Sequence, residues 1–249
     1  MAATVEICVE GVDDLLVAQQ AGADCAELCT GLLEGGLTPS LGMVRTALAV
    51  ATIPFHVMIR PRRGDFLYSE LEFRSMLEDV AAMKDLGVAG IVTGCLTADG
   101  TIDEARTTAL VNAAGPMNVT CHRAFDMTRD VTEAIEALVR CGVDRVLTSG
   151  QGNSALEGLA TLVRTVAAAR GRIRIMACGG LEPDNIAEVY LRSRVDELHF
   201  AAPRQKESGM RYRNTGVMMG EEAAEAEFMV TVTDGATVKA TIDALWAVL

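Results

Sequence analysis

A chain of 249 residues, half of them hydrophobic, is long enough for one large α/β domain or two small ones and ample for a buried core. Its formal charge of -12 argues against a nucleic-acid or anionic-membrane partner, since both select a basic surface. No apolar run has transmembrane length and no basic-then-apolar leader opens the chain, while seven cysteines without a CxxC pair suit a reducing compartment; a cytoplasmic protein is expected.

Short β-branched runs begin near Val5, Ala26, Phe55, Gly90, Val119, Val146, Ile173 and Glu197. Between them the spacing predicts helices over 12–20, 41–50, 70–86, 104–114, 131–141, 155–169 and 183–191, several closed by glycine, the usual helix stop. Eight strands alternating with helices predict an α/β fold, a (β/α)8 TIM barrel formed as a single domain over 1–249. An open doubly wound sheet competes, but no GxGxxG or GxxxxGK[ST] loop is present. The rhythm breaks over 203–232, which is expected to be an irregular excursion, before a final helix over 236–248.

Period-two alternation sorts the strand residues by face. Val5, Ile7 and Val9 alternate with Glu6, Cys8 and Glu10, and Ala26 and Leu28 alternate with Glu27 and Cys29. The apolar set must meet the helices, so the Glu and Cys set faces the lumen. His56, Met58 and Arg60 join it from the third strand and Glu197 and His199 from the eighth, while the fifth offers Thr120 and His122 on one phase and Cys121 and Arg123 on the other. One carboxylate–arginine pair would be structural. So many ionisable groups converging on one mouth point to a functional site.

Two ligand chemistries are readable there. Arg60, Arg62 and Arg63 crowd one strand end, and guanidinium forks suit phosphate or carboxylate. Ser149 and Gly150 after strand six, and Gly179 and Gly180 after strand seven, offer backbone donors to an anion, or simply make tight turns. Cys8 and Cys29 occupy matching positions on adjacent strands, with Met58 on the next, and soft sulfur ligands select Cu(I). The alternative is that these cysteines are merely buried, and a hard-metal site from Glu6, Glu27 and His122 is a further option.

The segments Glu6-Ile7-Cys8, Glu27-Leu28-Cys29, 34–40 (EGGLTPS), Ile59-Arg60-Pro61-Arg62 and Gly64-Asp65-Phe66 resemble the CutC copper-homeostasis family. So do 122–126 (HRAFD), 146–150 (VLTSG) and 210–214 (MRYRN), in one order along nearly the whole chain. Arg63, Cys121 and Cys178 depart from that pattern. The resemblance implies a TIM barrel, a cytoplasmic location, a homodimer or homotetramer, and a Cu(I) site at Cys8 and Cys29. Two functions follow as expectations. One is copper homeostasis through Cu(I) held by Cys8 and Cys29. The other is an enzyme for a small anionic or phosphorylated metabolite, with Arg60 and Arg62 clamping the anion and His122 as acid/base beside Asp126 or Glu27.

Overall fold

The computed structural model describes residues 3–219, 223 and 226–249. Its eight core strands are β1 (Thr4–Val9), β2 (Cys25–Leu28), β3 (Phe55–Met58), β4 (Gly90–Thr93), β5 (Asn118–Cys121), β6 (Arg145–Thr148), β7 (Arg174–Cys178) and β8 (Glu197–Phe200). Each pairs in parallel with its sequence neighbour, and β8 returns to β1 to close the barrel. Seven helices follow the first seven strands: α1 (Val12–Gln20), α2 (Leu41–Val50), α3 (Glu70–Leu86), α4 (Glu104–Ala114), α5 (Val131–Cys141), α6 (Leu159–Ala169) and α7 (Ile186–Ser193). Their apolar stripes cover the outward residues Val5, Ile7, Val9, Leu28, Phe55 and Val57, which are buried in the main core.

Local chemistry sets the helix ends. Ser69 and Glu72 form a reciprocal capping box at α3, and Asp130 accepts from Thr132 and Glu133 at the start of α5. Helix α6 begins four residues later than the spacing predicts, because the Ala155 N–H is drawn to the Gly179 carbonyl (2.8 Å) and 154–158 turns beneath the barrel mouth. Helix α7 starts at Ile186 rather than 183, since Asn185 Oδ1 takes the Glu182 N–H (2.9 Å) in a preceding turn.

The stretch expected to be irregular over 203–232 begins and ends in order. Strand β9 (Pro203–Glu207) pairs antiparallel with β10 (Met229–Thr233), a small sheet outside the barrel. Residues 220–222, 224 and 225 of that stretch lie outside the described residues. The Asp14 carboxylate accepts the Thr233 N–H (2.7 Å), tying the returning chain to α1. Helix α8 (Gly235–Trp246) then buries Val238, Ile242 and Leu245 between α1 and α7. No described helix is long and apolar enough to cross a membrane.

The register contains one correction. Cys8 stands opposite Glu27, and Glu6 opposite Cys25, so Cys8 and Cys29 are not at matching positions. The two strands are staggered by two residues, as the tilt and shear of a closed barrel require.

Candidate functional site

The lumen divides into a lower charged layer and an open cavity above it. In the lower layer, Arg145 donates to Glu6 (2.9 Å), to Glu197 (2.7 Å) and to Thr120 Oγ1 (2.9 Å). Glu6 also meets His56 Nδ1 at 2.7 Å and His199 Nδ1 at 3.0 Å. Burial alone would push the Glu6 carboxyl up, but the bonds from His199 and His56 and the Arg145 charge outweigh it and hold it well below the usual carboxylate range. Arg145 was not among the residues singled out from sequence. The layer is an ion-pair network centred on Arg145.

Above that layer lies a cavity of about 890 Å³, at the C-terminal ends of the strands where barrels of this class carry their sites. Its wall includes Cys8, Glu27, Arg60, His122, Asp126 and His199, with Gly179 and Gly180 at the end of β7. Glu27 is almost fully buried, and its Oε1 has no hydrogen-bond partner. Burial drives its pKa up, with Glu6 adding to the effect and His199 opposing it. Cys8 donates to Glu27 Oε2 (3.2 Å), and its thiol is raised well above normal by the bond to Cys29, by burial and by Glu27.

Arg60 leaves β3 beyond Met58 and folds back under the loop that follows β2. Its guanidinium donates to the carbonyls of Glu34 (2.8 Å), Gly36 (3.1 Å) and Gly64 (3.1 Å), and it lies over the Phe66 ring. Gly35, at φ 85°, allows this approach; a Cβ there would meet Nη1 at 2.9 Å. No carboxylate pairs with Arg60 among the described residues, and its buried Nε is unpartnered.

His122, the expected acid/base, stands on the cavity wall in a defined tautomer. Its Nδ1 accepts the Ala124 N–H (3.1 Å), which leaves the hydrogen on Nε2, a buried atom without a partner. Burial, reinforced by the Arg60 charge, pushes its pKa down to about 3. The surroundings therefore favour the neutral ring, a hydrogen-bond donor through Nε2. Gly94 gives the ring room, since a Cβ there would sit 2.8 Å from it.

Asp126 is not its partner. That carboxylate accepts N–H groups from Ser149 (3.1 Å) and Gln151 (3.1 Å), and Arg123 Nε at 2.8 Å. The donor cradle after β6 is real, but the protein's own Asp126 fills it. Ser149 and Gly150 are thereby withdrawn from ligand binding: Ser149 Oγ accepts from Arg123 (2.9 Å), and the Gly150 N–H goes to Thr148 Oγ1 (2.9 Å). Arg62 is also corrected. It binds Glu72 (2.6 Å), Asp65 (3.0 Å) and the Leu67 carbonyl (2.9 Å), bracing a loop that lines the cavity while standing off the wall itself. Gly179 and Gly180, at φ 95° and 67°, remain on the cavity wall.

The two cysteine sulfurs lie 3.7 Å apart despite the stagger. Cys29 is completely buried behind Cys8, donates to the Val9 carbonyl (3.5 Å), and packs with Met58 and Val92. Cys8 alone of the pair reaches the cavity wall. The proposed hard-metal combination of Glu6, Glu27 and His122 is not brought together; the clusters that form are Glu6 with Cys25 and His56, and Cys8 with Glu27 and His199.

Comparison with known proteins places this geometry. The CutC family model matches residues 3–203. A family protein CutC from Mesorhizobium japonicum is 62% identical over 240 residues, spanning 96% of this chain and 93% of its own length. The mouse copper homeostasis protein cutC homolog is 44% identical over 230 residues, spanning 92% of this chain and 85% of its own. A solved CutC structure from Streptococcus agalactiae superimposes with a TM-score of 0.75 at 32% identity, covering 80% of this chain and 98% of that one. Phosphoribosylanthranilate isomerase of Thermotoga maritima (TM-score 0.55, 12% identity, 98% of this chain and 99% of that one) shares the fold alone. Matched over most of its length by the family model and by relatives this similar, the chain belongs to the CutC family.

Proposed function

We infer that the cavity binds a small organic anion, a phosphate or carboxylate compound, and acts on it as an enzyme. Arg60 carries this reading: a buried guanidinium on the cavity wall that donates to carbonyls and has no carboxylate partner among the described residues. A buried charge without a counter-charge is costly unless a ligand supplies one. The Nε2–H of His122 is the second donor, neutral and water-excluded, suited to polarising an oxygen of the bound compound. Glu27, held toward its protonated form, is the group available for proton exchange. A thermal-unfolding screen with inorganic phosphate, sugar phosphates and dicarboxylates tests this. At least one anion should stabilise the wild type, by about 2.7 kcal/mol at a hundredfold excess over Kd, and lose that effect in Arg60→Ala. Absence of stabilisation across the panel, with no anion co-purifying, would remove the reading.

A second reading follows from the sulfur geometry and from the copper-homeostasis relatives. Cu(I) would sit between Cys8 and Cys29, whose 3.7 Å separation is spanned by two metal–sulfur bonds, with the Met58 thioether alongside. Both thiols must lose protons first, and for Cys8 the Glu27 carboxyl opposes that loss. Anaerobic titration against a Cu(I) chelator decides it: one-to-one binding abolished by Cys8→Ser with Cys29→Ser supports copper, and binding unchanged in that double variant ends the assignment.

A further inference from the structure

The cluster of Cys8, Glu27 and His199 offers one sulfur, one carboxylate oxygen and one imidazole nitrogen, all within 4.8 Å of one another and all buried. Bonds of about 2.0–2.3 Å at tetrahedral angles separate ligand atoms by about 3.3–3.8 Å. Here Cys8 Sγ lies 3.2 Å and His199 Nε2 3.6 Å from Glu27 Oε2. Two of the three edges of a tetrahedral site are therefore close to their bound lengths before any ion enters, and the third is no longer than 4.8 Å.

Three further observations separate this cluster from an ordinary buried hydrogen-bond network. His199 is oriented by its other nitrogen, which meets Glu6 Oε1 at 3.0 Å, the carboxylate–histidine support that metal-binding imidazoles use. Glu27 Oε1 is buried and unpartnered. All three ligands line the cavity, so the fourth position opens onto the space where a substrate would lie. The companion cluster, Glu6 with Cys25 and His56, fails the same test. Arg145 Nη2 already sits 2.9 Å from Glu6 Oε2 and 2.7 Å from His56 Nδ1, placing a positive charge where the ion would go.

We propose that Cys8, Glu27 and His199 form a three-ligand site for a borderline divalent transition ion of the Zn²⁺ class, with its open position facing the cavity. One thiolate and one carboxylate neutralise such an ion, and the mixed sulfur, nitrogen and oxygen set suits Zn²⁺ better than Cu(I) or a hard ion. The site shares Cys8 with the copper reading but not Cys29, and it does not depend on the anion reading.

The test is titration of the reduced, full-length protein with Co²⁺ under anaerobic conditions, followed by Zn²⁺ displacement. One equivalent of Co²⁺ should bind with the visible absorption of a tetrahedral ion and a thiolate-to-cobalt charge-transfer band, and one equivalent of Zn²⁺ should remove both. Cys8→Ser should abolish the charge-transfer band, His199→Gln should weaken binding at least tenfold, and Cys29→Ala should leave both unchanged. Glu6→Gln, acting through His199, should weaken binding by about 10–100-fold. Absence of stoichiometric Co²⁺ and Zn²⁺ binding by the folded wild type overturns the proposal. So does binding insensitive to His199→Gln, or binding lost in Cys29→Ala, which would return the metal to the cysteine pair.

Discussion

The two layers of the lumen are built from the same residue types and end in opposite states. In the lower layer Arg145 is surrounded by the carboxylates of Glu6 and Glu197 and by His56, so its charge is met within the protein. In the upper layer Arg60 is also buried but meets carbonyls and the Phe66 ring, with no carboxylate among the described residues, and Arg60 Nε, His122 Nε2 and Glu27 Oε1 are left without hydrogen-bond partners. Buried polar groups are nearly always satisfied in native proteins. A closed set of charges reads as architecture, and an unfinished set beside a cavity reads as a place for something else.

The same substitution applied to both layers tests that contrast. Arg145→Ala removes the buried cation shared by Glu6 and Glu197, leaving Glu6 to its histidines and Glu197 to Arg174, and should cost about 3–5 kcal/mol in urea unfolding. Arg60→Ala strands only loop carbonyls and should cost about 2 kcal/mol, while abolishing anion-dependent stabilisation. If the costs were reversed, Arg60 would be the structural arginine and the assignment of the layers would be wrong.

Acidification probes the upper layer through His122. Its pKa falls from 6.5 to about 3 on folding, so as pH drops the unfolded chain takes up the proton first. Stability contributed by the neutral ring is complete above about pH 6.5 and is lost progressively toward pH 3. Between pH 6.5 and 5 the loss should be about 2 kcal/mol. Comparing urea midpoints of wild type and His122→Phe over that range isolates it; parallel pH profiles would mean that folding does not lower the pKa of His122. The smallest effect belongs to the surface. Glu136 and Arg172 pair at 2.6 Å among exposed side chains, and Glu136→Gln should leave the unfolding midpoint unchanged within error.

Much of the architecture was legible in the sequence because alternation reports faces. Glu6, Glu27, His56 and His199 face the lumen as their phase required, and the strand–helix rhythm carried the eight-stranded barrel. Register was not legible. Glu6-Ile7-Cys8 and Glu27-Leu28-Cys29 look aligned, but barrel shear offsets them by two residues. Arg145 escaped because Asp144-Arg145 precedes the apolar run from Val146 and has the composition of an exposed turn; its partner Glu6 lies 139 residues away. Arg62 misled in the opposite direction. It shares the phase of Arg60, yet Pro61 ends the extended stretch, after which alternation says nothing about facing.

Closure of β8 onto β1 has a consequence for biosynthesis. The bond between His199 and Glu6 spans 193 residues, and Glu197 is the second carboxylate on Arg145. At about 5–20 residues per second, a ribosome needs roughly 10–40 s between the emergence of β1 and that of β8. Throughout that interval β1 presents an open edge, and Glu6 lacks its His199 partner. A nascent chain halted before residue 197 is missing a strand, the second carboxylate on Arg145 and the His199 partner of Glu6, so a partial barrel leaves its lumen layer incomplete. The lumen charges that organise the finished protein thereby make its assembly close to all-or-none.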